Sequence, residues 1–291
     1  MEDMRNPLKT LFTLTIACGL LSGFSSCGIT ASLSDRQINK HFKQKGARPV
    51  QKYLSYKEYY IHHVLLGDST KPLLLFIHGA PGAWYSYLPF MDDSDLQASY
   101  RMISVDRIGF DKSNAGLAVT SIDEHVNYLQ KIVAEYNRAG QKISILGASY
   151  GAPIAAAFAM RNPGLVNELF LVSPVIDPSK EKIFWFSYAC KLSFVNMWLE
   201  RSLNVATEEK FDHRSELKKL KPFWKNISCK TTVVMGKKDW IADTGNFDFA
   251  QKMLTNTVAA EFYMIEDAGH AILVQKPGLI KNLLLHRKIF P

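Results

Sequence analysis

The sequence predicts an α/β fold: a mostly parallel sheet flanked by helices. Three observations point there. Short unbroken apolar runs recur along the chain, as buried parallel strands require. Amphipathic helical patterns lie between them, and strands alternating with helices imply a sheet covered on both faces. Finally, 47% of the 291 residues are hydrophobic, enough for one large core, and such folds reach ~250 residues without dividing.

Taken in order, Lys52–Leu66 is rich in Tyr, Ile, His and Val, with Gly67-Asp68 interrupting it. It reads as two antiparallel strands at a sheet edge. Leu73–Ile77, Arg101–Val105 and Ile143–Leu146 are buried strands, Leu169–Val172 and Thr232–Met235 add two more, and Glu261–Ile265 closes the sheet. Ser121–Tyr136 places Ile122, Val126, Leu129, Ile132 and Val133 on one stripe, with Asp123 and Glu124 in the dipole-favoured first turn. Ala152–Met160 is an alanine-rich helix, and Phe247–Leu254 and Leu279–His286 are helical. Residues 179–228, after the sixth strand, break the alternation with Phe184, Trp185, Phe186, Tyr188, Phe194, Trp198 and Trp224 among many lysines. That aromatic area predicts a small helical cap over the carboxyl edge of the sheet, walling a pocket.

The amino terminus reads as a targeting segment. Met1–Lys9 is short and polar, Leu11–Phe24 is almost wholly apolar, and Ser25-Ser26-Cys27-Gly28 is small, the order of a signal peptide over residues 1–26. The 14-residue apolar run is shorter than the ~20 residues a spanning helix needs. Residues 27–50 are polar and cationic, consistent with a tether, which leaves the main domain at 51–291.

The formal net charge is +8, and because Arg5 and Lys9 offset Glu2 and Asp3, losing residues 1–26 leaves it unchanged. A basic balance favours anionic surfaces such as lipid headgroups. The lysines are scattered, without the basic stripe interleaved with aromatics that marks a nucleic-acid binder. No Cys-x-x-Cys or His-x-x-x-His pair suggests a metal. Cys190 and Cys229 could form one disulfide in an oxidising compartment, and spacing alone leaves that open.

The chemistry centres on Gly147-Ala148-Ser149-Tyr150-Gly151 between a strand and a helix. A strand turning sharply into a helix lifts a serine hydroxyl clear of the backbone, and flanking glycines let the two elements approach. The hydroxyl needs a base. His270 in DAGHAILVQ follows the last strand, where a loop reaches back over the sheet. His41, His62, His63, His125, His213 and His286 lie in the tether, an edge strand, helices or the cap. A third group must orient the imidazole. Asp239, past the seventh strand and 31 residues before His270, is favoured, with Asp177 after the sixth strand as the rival. The oxyanion donors are the Tyr150 N–H and, from the loop His78-Gly79-Ala80-Pro81-Gly82, the Ala80 N–H. His78 itself reads as structural.

With HGAPG, DRIGFDKS, GASYG, MRNPGLVNELFLVSP, GKKD and AGH in this order, the chain resembles the α/β-hydrolase superfamily, in the branch with a His-Gly-x-Pro-Gly loop. That branch holds proline iminopeptidases and esterase- and lipase-like hydrolases, and the likeness runs from Lys52 to the carboxyl terminus. It implies Ser149, Asp239 and His270 as a triad, Ala80 and Tyr150 as oxyanion donors, and no cofactor. Two departures stand out: Asp111 occupies a position usually held by glycine, predicting a looser loop, and GASYG differs from the Gly-Gly-Ser-Trp-Gly of proline iminopeptidases. The implied reaction is ester cleavage, less readily amide cleavage, on a small molecule with an apolar acyl or aromatic group. A proline-type aminopeptidase and a non-catalytic ligand-binding homologue are the alternatives. The terminal segment resembles a bacterial lipoprotein signal, implying export and acylation at Cys27 at a cell-envelope membrane, or otherwise a periplasmic or secreted product.

Overall fold

A computed structural model describes residues 33–44, 48–137, 140–183, 185–190 and 199–287. The signal peptide, Cys27, Phe184, Phe194 and Trp198 of the sequence reading lie outside them.

The strands are β1 (Val50–Tyr56), β2 (Tyr59–Leu66), β3 (Leu73–Ile77), β4 (Arg101–Val105), β5 (Ile143–Ala148), β6 (Val166–Val172), β7 (Lys230–Gly236) and β8 (Ala260–Ile265). Among the described residues they form one sheet in the order β1-β2-β4-β3-β5-β6-β7-β8. β2 pairs antiparallel with β1 and β4, and the remaining pairs are parallel. In β3, Leu75 lies level with Ile103 on one side and Ile145 on the other. Side chains alternate across a strand, so Leu73, Leu75 and Ile77 enter one apolar layer while Leu74 and Phe76 enter the other. An unbroken apolar run therefore serves two cores at once.

The helices used below are α1 (Asp35–Gln44), α2 (Ile122–Tyr136), α3 (Gly151–Arg161), α4 (Arg201–Leu220), α5 (Gly245–Met253) and α6 (Pro277–Leu284). α2, α3 and α5 cover the first layer, α1 and α6 the second. The α2 stripe is buried along its length, and Ser121 caps it by accepting from the Glu124 N–H at 3.3 Å.

Two expectations are corrected, and one question that the sequence leaves open is answered. The edge strands do not part at Gly67-Asp68: the hairpin turns at Lys57-Glu58, where Lys57 takes φ 52°, and Gly67 ends β2. The tether is not polar throughout, because α1 lies within it and buries Ile38 and Phe42 to 1% exposure. These are its only large apolar side chains, and at i and i+4 they meet on one face. Phe42 stacks on Trp84 with centroids 6.4 Å apart. Truncation of Phe42 to alanine is expected to destabilise the protein by about 3 kcal/mol, read as a lower urea midpoint; an unchanged midpoint would mean that α1 rides free of the body. Lastly, Cys190 and Cys229 are buried free thiols, with burial pushing Cys229 up to about 11.

The cap follows β6 as expected. It comprises a short helix at Trp185–Cys190, then α4 and a 3-10 turn at Lys221–Asn226. α4 crosses above the carboxyl ends of β4 and β5, where Glu209 meets Arg107 and His213 meets Tyr150. Trp224 is buried, whereas Tyr188 is exposed against Phe211.

Candidate active site

Ser149 sits where β5 gives way to α3, at φ 51°. The conformation is left-handed, rare for a serine and held only where the surroundings over-determine it. The Ser149 N–H donates to Val172 O at 2.9 Å, tying the turn to β6. The flanking glycines are sterically required: a Cβ on Gly147 would lie 2.4 Å from Gly151 O, and one on Gly151 2.2 Å from Ile77 O.

His270 Nε2 lies 2.9 Å from Ser149 Oγ. Its Nδ1 lies 2.8 Å from Asp239 Oδ2. A carboxylate only accepts, so Nδ1 carries the proton and the Nε2 lone pair faces the serine hydroxyl. Asp239 Oδ1 accepts from the Ile241 N–H at 3.0 Å and the Ala242 N–H at 2.9 Å, which fixes the carboxylate's orientation. The Asp239 side chain is fully buried and that of His270 is 7% exposed. Asp177 is engaged elsewhere: its Oδ1 accepts from the N–H and hydroxyl of Ser179, both at 2.8 Å.

Two supports carry no sequence signal. The Ser173 hydroxyl donates to His270 O at 2.7 Å, from a residue at φ 46° just past β6. Gly236 ends β7 against the His270 loop, where a Cβ would lie 2.4 Å from both Ala268 O and Gly269 O. The first anchors the His270 backbone; the second lets the loops carrying Asp239 and His270 close on each other.

On the other side of Ser149, a Cβ on Gly79 would stand 3.0 Å from Ser149 Cβ and 3.6 Å from Oγ. The Gly79–Ala80 peptide therefore borders Ser149. Among the described residues, neither the Ala80 N–H nor the Tyr150 N–H is engaged by a protein acceptor. Two free donors beside a serine hydroxyl can receive a developing oxyanion. His78 is not a base: its Nε2 accepts from the Arg107 N–H at 2.9 Å and its Nδ1 donates to Gly79 O at 2.7 Å. Full burial and the Arg107 charge hold its pKa well below the usual imidazole range.

A buried ion pair lies beneath the cap. Arg107 and Glu209 have side chains with no exposure, and two contacts join them, Nη2–Oε2 at 3.0 Å and Nη1–Oε1. Burial opposes both charges most strongly, yet the pairing, with a hydrogen bond from His125 to Glu209, leaves Arg107 above and Glu209 below their ordinary ranges.

The DRIGFDKS loop is tight rather than loose, because Gly109 N–H donates to Ser113 O at 2.7 Å and Ser113 N–H to Phe110 O at 2.9 Å. Asp111 adopts φ 41° within it. Burial, then the charge of Asp106, pushes its carboxyl up to about 6. A carboxyl that ionises near 3.8 when unfolded and near 6 when folded lowers stability as pH rises through that window, and fully so above it. Asp111→Gly, which also relieves the left-handed backbone, is expected to raise Tm at pH 8 more than at pH 4. Equal Tm values for variant and wild type at pH 8 would count against both causes.

Residues 72–190 match the family model described as alpha/beta hydrolase fold. Among curated proteins, proline iminopeptidase PfmaB of Pestalotiopsis fici is 26% identical over 74% of this chain and 91% of its own length. Human monoacylglycerol lipase ABHD6 is 20% identical over 80% of each chain. Epoxide hydrolase 1 of Caenorhabditis elegans is 29% identical, over 40% of this chain and 29% of its own. Among solved structures, a membrane phospholipase A described as a bacterial virulence factor superposes with TM-score 0.65 over 96% of both chains at 18% identity. Cfl2 of Burkholderia cenocepacia superposes at 0.66, covering 82% of this chain and 95% of its own at 14% identity.

Proposed function

We propose that this chain, which has the α/β-hydrolase fold, is a serine hydrolase cleaving carboxylic esters, and less readily amides, through an acyl-enzyme. The observation that carries the reading is the unbroken hydrogen-bond path Asp239–His270–Ser149, 2.8 and 2.9 Å per step.

In this mechanism Ser149 Oγ attacks the substrate carbonyl carbon while His270 Nε2 takes its proton. Asp239 stabilises the imidazolium without taking the proton itself. The tetrahedral oxyanion receives hydrogen bonds from Ala80 and Tyr150. His270 then returns the proton to the leaving alcohol or amine, leaving Ser149 acylated. Water, deprotonated by the same histidine, attacks the acyl carbon and releases the acid.

The nucleophile separates this chemistry from epoxide opening. A serine alkylated by an epoxide would be an ether, with no carbonyl for water to attack, so turnover would stop. Two of the longer curated matches are named as an iminopeptidase and a monoacylglycerol lipase, names that describe cleavage at an acyl bond. The aromatic-rich sequence of residues 179–228 supports an apolar acyl or aromatic group in the substrate.

The test is labelling of the purified protein by a fluorophosphonate probe, with turnover of p-nitrophenyl esters of graded chain length and of proline arylamide. Labelling with turnover of esters above arylamide is expected. Arylamide turnover above ester would favour the peptidase reading, and an unlabelled, inactive protein would favour a ligand-binding one. The reading includes export and acylation of Cys27. A Cys27→Ser variant is therefore expected to leave the membrane fraction and to lose incorporation of a clickable palmitate analogue. Unaltered labelling of that variant would exclude Cys27 as the acylated residue.

A further inference from the structure

Arg107 stands outside the proton path yet touches both halves of the oxyanion site. Its Nε donates to His78 O at 3.0 Å and its Nη2 to Gly79 O at 2.9 Å. Its guanidinium carbon lies 4.8 Å from the centroid of the Tyr150 ring, against which the His213 ring of α4 also packs at 4.5 Å. Through its backbone N–H it sets the His78 tautomer, and His78 thereby becomes a second donor to Gly79 O, at 2.7 Å.

The Gly79 carbonyl and the Ala80 N–H belong to one planar trans amide. Two donors on that oxygen, one of them charged, fix the amide plane. They also draw electron density towards oxygen and strengthen the N–H on the opposite side as a donor. A donor aimed before the reaction begins needs no reorganisation when the oxyanion forms. Glu209 balances the buried Arg107 charge and holds the guanidinium in place, and it comes from the cap.

We infer that Arg107 is a positioning residue that orients and polarises the Ala80 oxyanion donor, with Glu209 coupling that donor to the cap. This deepens the acyl-transfer reading and rests on it. A merely structural ion pair would change how much enzyme folds, and would leave each folded site as fast as before.

The experiment uses the full chain carrying Arg107→Met and Glu209→Met together, since removing both partners leaves no unpaired charge in the interior. Competent sites are counted by fluorophosphonate at saturation. Then kcat per counted site, KM, and the affinity for a trifluoromethyl ketone analogue of the best ester are measured. The expected result is kcat per site lower by about 10- to 100-fold, somewhat less than deletion of an oxyanion donor costs. KM should stay within about twofold, and analogue affinity should fall in step with kcat. Wild-type kcat per site and wild-type analogue affinity, with only fewer competent sites or a lower Tm, would overturn the inference. Should the double variant fail to fold, Glu209→Gln keeps the side-chain volume and gives the same reading. A several-fold loss of kcat at constant KM supports the coupling, and no loss refutes it. Wild-type protein inert to both probe and esters would fail at the earlier step and take this inference with it.

Discussion

Replacing Ser149 by alanine is expected to lower turnover of the best ester by roughly 10⁴- to 10⁶-fold, the scale seen when a triad nucleophile is removed. Labelling by fluorophosphonate should disappear completely. The fold should survive, because the hydroxyl's recorded partner is His270 and alanine fits the space. Serine and alanine carry the same Cβ, so the left-handed backbone at φ 51° costs both alike and Tm should stay near that of the wild type. His270→Ala should lose nearly as much activity, since a triad works as a unit and single deletions do not add. Measured as kcat against the untreated wild type, a Ser149→Ala rate within tenfold of normal would remove the acyl-enzyme from consideration.

The second large effect is on stability. Glu209→Ala leaves the Arg107 guanidinium buried without its counter-ion, and breaking such a pair on one side costs about 3–5 kcal/mol. For a chain of this size that is on the order of 10 °C in Tm. Unfolding by urea should show the full deficit at pH 7, and the Arg107→Met, Glu209→Met double variant should recover most of it. A single variant whose midpoint matched wild type would show that water or another acid reaches Arg107.

These two effects differ in how far the sequence discloses them. Ser149 is legible because its signal is local: a strand, two glycines and an alanine-rich helix within a dozen residues. The β3 to β7 runs are legible for the same reason, each holding a short apolar stretch buried on both faces, whereas β8 at the sheet edge is only partly buried. His270 and Asp239 could be placed after strands, but the choice of Asp239 over Asp177 depends on what the loop around each does. Asp177 caps its own turn through Ser179, and neither spacing nor composition shows that. Glu209 is hidden, since its partner stands 102 residues away and a charged helix reads as solvated. So is α1, whose two apolar side chains are too few to raise the average of a cationic stretch. Ser173 and Gly236 look ordinary in sequence and gain meaning only where two loops converge. The hairpin at Lys57-Glu58 leaves no mark in the sequence because a lysine takes the left-handed position that glycine usually marks.

The docking of α1 on the body sets a distance scale. If the chain is held in a bilayer by lipid on Cys27, eight Cα steps separate that point from Asp35, where the fixed helix begins. Fully extended, they reach at most ~29 Å, about the hydrocarbon thickness of the membrane itself. An enzyme on so short a leash samples a thin shell above the surface, so it would meet molecules leaving or grazing the bilayer far more often than those diffusing through the bulk.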